Sequence, residues 1–379
     1  METSRLPGSR DKLLFTPGPL TTSQTVKQAM LRDLGSRDAA FLSVVREIRH
    51  QLLDVGQVSE PRYTTVLMQG SGTFAIEAVL SSAVAPDAKV LIVTNGAYGR
   101  RMVHIASVLR LHYEELPFPE NERVQPAAVS RAVAADPSIR MVAMVQCETT
   151  SGIVNPIREV GEIVRGIRGE YFVDAMSSFG AIPVDLANDG IDYLVSSANK
   201  CIEGVPGFSF VLARRDSLAK TEGYARSVSL DLFAQWKGLE GNGQFRFTPP
   251  THALLAFHQA LNELKREGGV EGRGNRYREN YRTLIAGMRK LGFQEFLPAE
   301  DQGFIITSFR YPDHPNFKFE IFYDRLSERG FVIYPGKVTN ADCFRIGNIG
   351  RIFPSDVKAL LGAIREVADE MKLTLKPLT

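Results

Sequence analysis

Between Thr64 and Arg214 the chain repeats one pattern: a short, nearly continuous apolar run, then a segment with apolar residues at helical spacing. The runs are TTVLMQ (64–69), KVLIVT (89–94), IRMVAMVQ (139–146), EYFVDA (170–175), DYLVSS (192–197) and GFSFVLA (207–213). A strand wetted on one face alternates apolar and polar residues. A run without alternation reads as a strand covered on both faces, as in parallel sheets. Helical patterns at 74–84, 98–109 and 156–167 supply the crossovers. The prediction is an α/β fold whose mostly parallel sheet is sandwiched by helices. Upstream, Phe41, Val45, Ile48 and Leu52 predict a helix over 38–54.

From Glu222 the pattern breaks, and Gly238, Gly241, Gly243, Pro249 and Pro250 predict a loop-rich crossing. Beyond it come helical patterns at 252–266, 271–291, 317–329 and 354–373, with strand-like FIITSF (304–309), FVIYPG (331–336) and CFRIGN (343–348). We therefore expect an N-terminal arm (1–20), a large domain (21–250) and a smaller α+β C-terminal domain (251–379), which suits 379 residues. With 45 Lys and Arg against 43 Asp and Glu, no strong global field draws nucleic acid or an anionic membrane. The Arg-rich segment 272–290 also carries Glu271 and Glu279 and is expected to be a solvated helix face. The longest stretch without charge, Phe247–Asn262, is broken by prolines and falls short of the ~20 apolar residues of a membrane span. The first residues show no apolar signal-peptide core, and the three cysteines form no CxxC pair, so a reducing cytoplasm is expected. Six histidines show no ligand spacing, and no metal site is expected.

Three segments could carry chemistry. QGSGTFAIEA (69–78) follows a strand and opens a helix. Its glycines allow close backbone approach, its hydroxyls donate, and the helix N-terminus favours an anion. It also fits a dinucleotide fingerprint, but the next strand ends in Asn95 and Gly96 without the acid that would bind ribose. A phosphate cradle is the better reading. In YFVDAMSSFG (171–180), Asp174 ends an apolar strand, where open parallel sheets place ligands. In SSANKCIEGVPG (196–207), Lys200 lies just past another strand. Taken singly, Asp174 reads as a turn cap and Lys200 as a surface lysine. Taken together, an anion cradle, an acid and a lysine at strand ends match pyridoxal 5'-phosphate, which needs a phosphate site, an acid for its ring nitrogen and an amine to bond.

At this point the chain resembles the fold-type-I pyridoxal-phosphate transferases, and among them the class-V aminotransferases. The resemblance runs from LLFTPGPLTTSQTVKQAML through VLIVTNGAYG, VDAMSSFGAIP, SSANKCIEGVPGFSFV and SLDLFAQW to FVIYPGKV and DCFRIGNIG. The last four stretches are most similar to members that move an amino group from 2-aminoethylphosphonate to pyruvate. The resemblance implies that Lys200 bonds the cofactor and carries the reacting proton, while Asp174 pairs with the ring nitrogen. It places Ser71, Gly72 and Thr73 on the phosphate, Tyr98 against the ring and Thr149 on the phenolic oxygen. Arg345 would bind the substrate anion through parallel hydrogen bonds. Thr248 would reach a phosphate across the interface of a homodimer with shared sites. An alanine–glyoxylate or serine–pyruvate aminotransferase would share the cofactor residues, and a non-catalytic cofactor-binding module would share the fold. Cys201 and Cys343 read as packed thiols.

Overall fold

A computed structural model describes residues 11–378. Its centre is a seven-stranded sheet of β1 (Tyr63–Gln69), β2 (Lys89–Thr94), β3 (His112–Pro117), β4 (Ile139–Val145), β5 (Glu170–Asp174), β6 (Tyr193–Ser197) and β7 (Phe208–Arg214), in the order β1-β7-β6-β5-β4-β2-β3. Neighbouring pairs are parallel except those of β7, which runs antiparallel to both β1 and β6. The six apolar runs all become strands buried along nearly their whole length. β3, with the sequence HYEELP, is the seventh. It escapes the sequence reading because it is a polar edge strand with five of six residues exposed.

Helices α1 (Ala39–Val55), α2 (Gly72–Ala83), α3 (Ala97–Val108), α4 (Pro126–Ala135) and α5 (Ile157–Gly166) include the predicted crossovers. Asp38 caps α1 by accepting from the Ala40 N–H at 2.8 Å. The expected loop-rich crossing holds a helix, α6 (Leu232–Gly241), which Asp231 caps through Ala234 N–H. Its glycines sit at the helix end, where they disguised it.

The packing divides the chain later than residue 250. Leu254, Phe257, Leu261 and Leu264 of helix α7 (Thr251–Arg266) belong to the same core as the central sheet. A second core begins at Leu284 on helix α8 (Gly269–Lys290). It joins α8 to helices α9 (Phe319–Glu328) and α10 (Pro354–Glu370) and to a small antiparallel sheet. That sheet consists of β8 (Ile306–Arg310), β9 (Tyr334–Pro335) and β10 (Cys343–Gly347), with β10 in the middle. Phe15, from the expected arm, is fully buried in this second core, and Leu13–Leu14 pairs with Phe331–Val332.

Helix α8 corrects the expectation of a solvated arginine face. Arg273 is fully buried and Arg276 nearly so. Arg276 donates to Glu203 at 2.7 Å and to Glu267 at 2.6 Å, and Arg273 donates to Glu267 at 2.7 Å. Tyr277 donates its hydroxyl proton to Glu203 at 2.6 Å. Buried arginines survive only with such partners.

Candidate active site

Every sheet strand but β7 runs the same way, so β1, β2, β4, β5 and β6 present their C-terminal ends along one edge. Each of these five ends delivers one expected residue or motif: Gly70–Thr73 after β1, Tyr98 after β2, Thr149 after β4, Asp174 closing β5 and Lys200 after β6. Ligands of open α/β sheets bind along this edge.

Ser71, Gly72, Thr73, Tyr98, Asp174 and Lys200 line a single cleft. Gly70 turns the chain from β1 into α2 at φ +99°, and a β-carbon there would lie 2.6 Å from the Phe74 ring. The Ser71 hydroxyl, at the N-cap of α2, makes no capping bond, so hydroxyl and helix N-terminus are both left free at the cleft to receive an anion. Arg101 adds a cation, donating to Thr73 Oγ1 at 3.1 Å.

Asp174 is 1% exposed and is flanked across the sheet by Val145 and Val195. Burial pushes its carboxyl up to about 6, with the neighbouring Glu148 charge adding, against the N–H of Met176, which donates to it at 2.9 Å. The Lys200 ammonium donates to the Pro17 carbonyl at 2.7 Å. Burial holds it below the ordinary lysine range, with the Arg345 charge contributing, while Tyr98 and Asp174 oppose the shift. Burial raises the Tyr98 phenol, but Thr149 and the charges of Lys200, Lys337 and Arg345 outweigh it and lower the group overall.

Arg345 adjoins this cleft from the small sheet. It is 3% exposed, and its Nε and Nη1 donate to the carbonyls of Pro335 and Thr149, both at 3.0 Å. With Nε occupied, only the two terminal nitrogens can meet a substrate anion. Thr248 lies apart. It is exposed on a surface loop beside Arg37 and Arg246, where its carbonyl accepts from Gln69 at 3.4 Å.

Several residues at the site escaped the sequence reading. Gly18 approaches Lys200 so closely that a β-carbon would meet its Cδ at 2.9 Å and the Asn199 carbonyl at 2.7 Å. Lys337 places its ammonium 4.8 Å from the Tyr98 ring centroid. Glu148, fully buried, accepts from Gly99 N–H at 3.2 Å and from Thr150 Oγ at 2.6 Å, filling the capping role that Gly96 leaves open at the start of α3. The pair Tyr98 and Arg101, one helical turn apart, was the one local signal available for the added cation.

The model of the family "Aminotransferase class-V" matches residues 22–331. The chain belongs to the class-V aminotransferases. Class-V aminotransferases similar to it include the 2-aminoethylphosphonate–pyruvate transaminase of Salmonella heidelberg (strain SL476), 54% identical over 96% of this chain and 100% of that relative. The enzyme of the same name from Salmonella typhimurium (strain LT2) is 55% identical over 94% of this chain and 98% of its own. Among solved structures, pyridoxamine–pyruvate aminotransferase from Mesorhizobium loti superposes with a TM-score of 0.88 at 25% identity, covering 98% of this chain and 95% of its own.

The cofactor of this class-V aminotransferase is pyridoxal 5'-phosphate. The residues present fit it on three counts. A lysine kept below its ordinary range suits an amine that must bond an aldehyde. A buried carboxyl with a single hydrogen bond needs a cationic partner such as a protonated ring nitrogen. An uncapped helix start beside Arg101 suits a phosphate.

Proposed function

We propose that this aminotransferase moves the amino group of 2-aminoethylphosphonate to pyruvate, giving phosphonoacetaldehyde and L-alanine in a ping-pong cycle. The observation that carries the reading is the buried Arg345 guanidinium, held by two backbone carbonyls at the border of the cleft that contains Lys200 and Asp174. The relatives that bear this activity in their names support it over nearly the whole chain.

Bound in the cleft, pyridoxal phosphate supplies the electron sink through which an amino group leaves one substrate and joins the next. In this reading Ser71, Gly72 and Thr73 hold the cofactor's phosphate with Arg101 behind them. Asp174 keeps the ring nitrogen protonated, Tyr98 packs against the ring, and Thr149 bonds the phenolic oxygen. Lys200 would hold the cofactor through Nζ and would carry the proton to and from the reacting carbon. Arg345 holds the phosphonate in one half of the cycle and the carboxylate of pyruvate in the other. Thr248, which does not line the cleft of its own chain, serves the phosphate of a second copy, so the enzyme works as a homodimer. The cytoplasm is its place of action. Among the described residues, no helix is long and apolar enough to cross a membrane.

The test is a donor screen with pyruvate, scored as alanine formed. 2-Aminoethylphosphonate is expected to exceed serine and aspartate in kcat/KM by several powers of ten, because a smaller or differently charged group leaves buried cations poorly paired. Comparable values for serine with glyoxylate would transfer the assignment to an alanine–glyoxylate or serine–pyruvate aminotransferase.

A further inference from the structure

Arg101, Lys200, Lys337 and Arg345 all surround Tyr98, and among the described residues none of them forms an ion pair with a carboxylate. Arg101 bonds the Thr73 hydroxyl, and Arg345 bonds two backbone carbonyls. Lys200 is committed to the cofactor and Arg101 sits in the phosphate cradle. Two cations remain for substrate, Arg345 and Lys337. A carboxylate carries one negative charge. A phosphonate carries one full negative charge and loses its second proton near neutral pH, and neighbouring cations favour the doubly charged form. One guanidinium with Nε already occupied meets the first charge and leaves the second unmatched.

Lys337 is exposed, but the backbone that carries it is tethered. It follows Tyr334–Pro335, which pairs with the strand that carries Arg345, and Arg345 itself bonds the Pro335 carbonyl. On one side of it Gly336 N–H donates to the Cys343 carbonyl at 2.8 Å. On the other side Thr339 N–H donates to Glu120 Oε2 at 2.7 Å. Glu120 is 5% exposed and pairs through its other oxygen with Arg100, which lies on the same helix as Tyr98. The loop with Lys337 is thus tied at both ends, once to the strand of Arg345 and once to the helix of Tyr98.

We propose that Lys337 is the specificity-determining cation that meets the second charge of the phosphonate, with Arg345 as the anchor common to phosphonate and carboxylate. The inference rests on the reaction proposed above and names the group that separates its two substrates. It is tested on the holoenzyme with ethylphosphonate and propionate, unreactive analogues that lack the amino group, using titration calorimetry on the native protein, Lys337→Met and Lys337→Arg. Stopped-flow half-reactions with 2-aminoethylphosphonate and with L-alanine accompany the titrations. In Lys337→Met the affinity for ethylphosphonate is expected to fall about ten- to hundredfold, the range of a hydrogen bond between charged groups. The loss for propionate is expected to be several-fold smaller. The half-saturating concentration of 2-aminoethylphosphonate should rise much more than its maximal rate falls, and Lys337→Arg should recover most of the loss. Equal losses for the two analogues, or none for either, would overturn the inference. If the native enzyme prefers 2-aminoethylphosphonate and Lys337→Met keeps that preference, only this inference fails. If the native enzyme shows no such preference, the proposed reaction fails and this inference falls with it.

Discussion

Asp174 should make the cofactor-free protein less stable, and the amount can be worked out. Its carboxyl lies 1% exposed at the end of an apolar strand, with a single backbone N–H donating to it. Burial raises it from 3.8 to about 6. A raised carboxylate pKa means that the folded chain binds the proton more tightly than the unfolded chain. The penalty is therefore absent below about pH 4, grows as pH rises from there, and is complete above about pH 6. At 1.36 kcal/mol per pH unit it amounts to about 3 kcal/mol at pH 8 and roughly half of that at pH 5. Asparagine keeps the shape and the acceptor for Met176 N–H but carries no charge. Asp174→Asn should then unfold at higher denaturant concentration than the native chain when both are stripped of cofactor. The gain should be about 3 kcal/mol at pH 8 and about half of that at pH 5, read from urea transitions at each pH. Loading the cofactor should reverse the order, because only the native carboxylate gains a protonated ring nitrogen as partner, and the variant should lose transamination. A gain that does not change between pH 5 and 8, or a loss at pH 8, would refute the claim that desolvation governs this residue.

Borohydride treatment of the holoenzyme should fix the cofactor on Lys200, as peptide mapping would show; a label on another lysine would remove Lys200 from its role. Gly18→Ala forces a β-carbon to 2.7 Å from the Asn199 carbonyl at φ +109°, so it should cost about 1–3 kcal/mol by thermal or urea unfolding and slow cofactor uptake followed by absorbance. In the proposed homodimer, Thr248→Glu would set a carboxylate against the phosphate of the other copy, where unit charges ~4 Å apart repel by about 4 kcal/mol at an effective dielectric of 20. That variant and Lys200→Ala should each be inactive alone, and activity should return in mixed dimers verified by native mass spectrometry; no return would separate Thr248 from any shared site.

The strands were legible because burial on both faces removes the alternation of side chains, and six apolar runs record that directly. β3 was not, because an exposed edge strand such as HYEELP places no apolar demand on its sequence. The helix α6 hid behind Gly238 and Gly241. That Ser71, Gly72, Thr73, Tyr98, Asp174 and Lys200 share one cleft was legible for a different reason. Parallel strands bring their C-terminal ends to one edge, so residues that follow separate strands become neighbours without any local signal between them. Lys337 and Gly18 follow no strand of that sheet. They reach the cleft through the small sheet and through the segment 13–19, whose packing only the assembled chain reveals.

Arg273 and Arg276 show the same limit from the opposite side. A run of arginines with interspersed glutamates reads as a solvated face because the sequence shows only the neighbours along the helix. Their decisive partner is Glu203, about seventy residues earlier, three positions past Lys200. Arg273 also donates to the carbonyl of Cys201, the residue next to Lys200. From the same helix, Arg276 donates to the Gly350 carbonyl at 2.6 Å, and the Gly350 N–H donates to the Tyr277 hydroxyl at 3.1 Å, in the turn that follows the strand of Arg345. One buried ionic cluster therefore grips the segment of Lys200 and the segment of Arg345 together. Removing one member would leave charges buried without partners, at a cost of about 3–5 kcal/mol. The arginines that looked most solvated in the sequence thus hold Lys200, proposed to bond the cofactor, in register with Arg345, proposed to bind substrate.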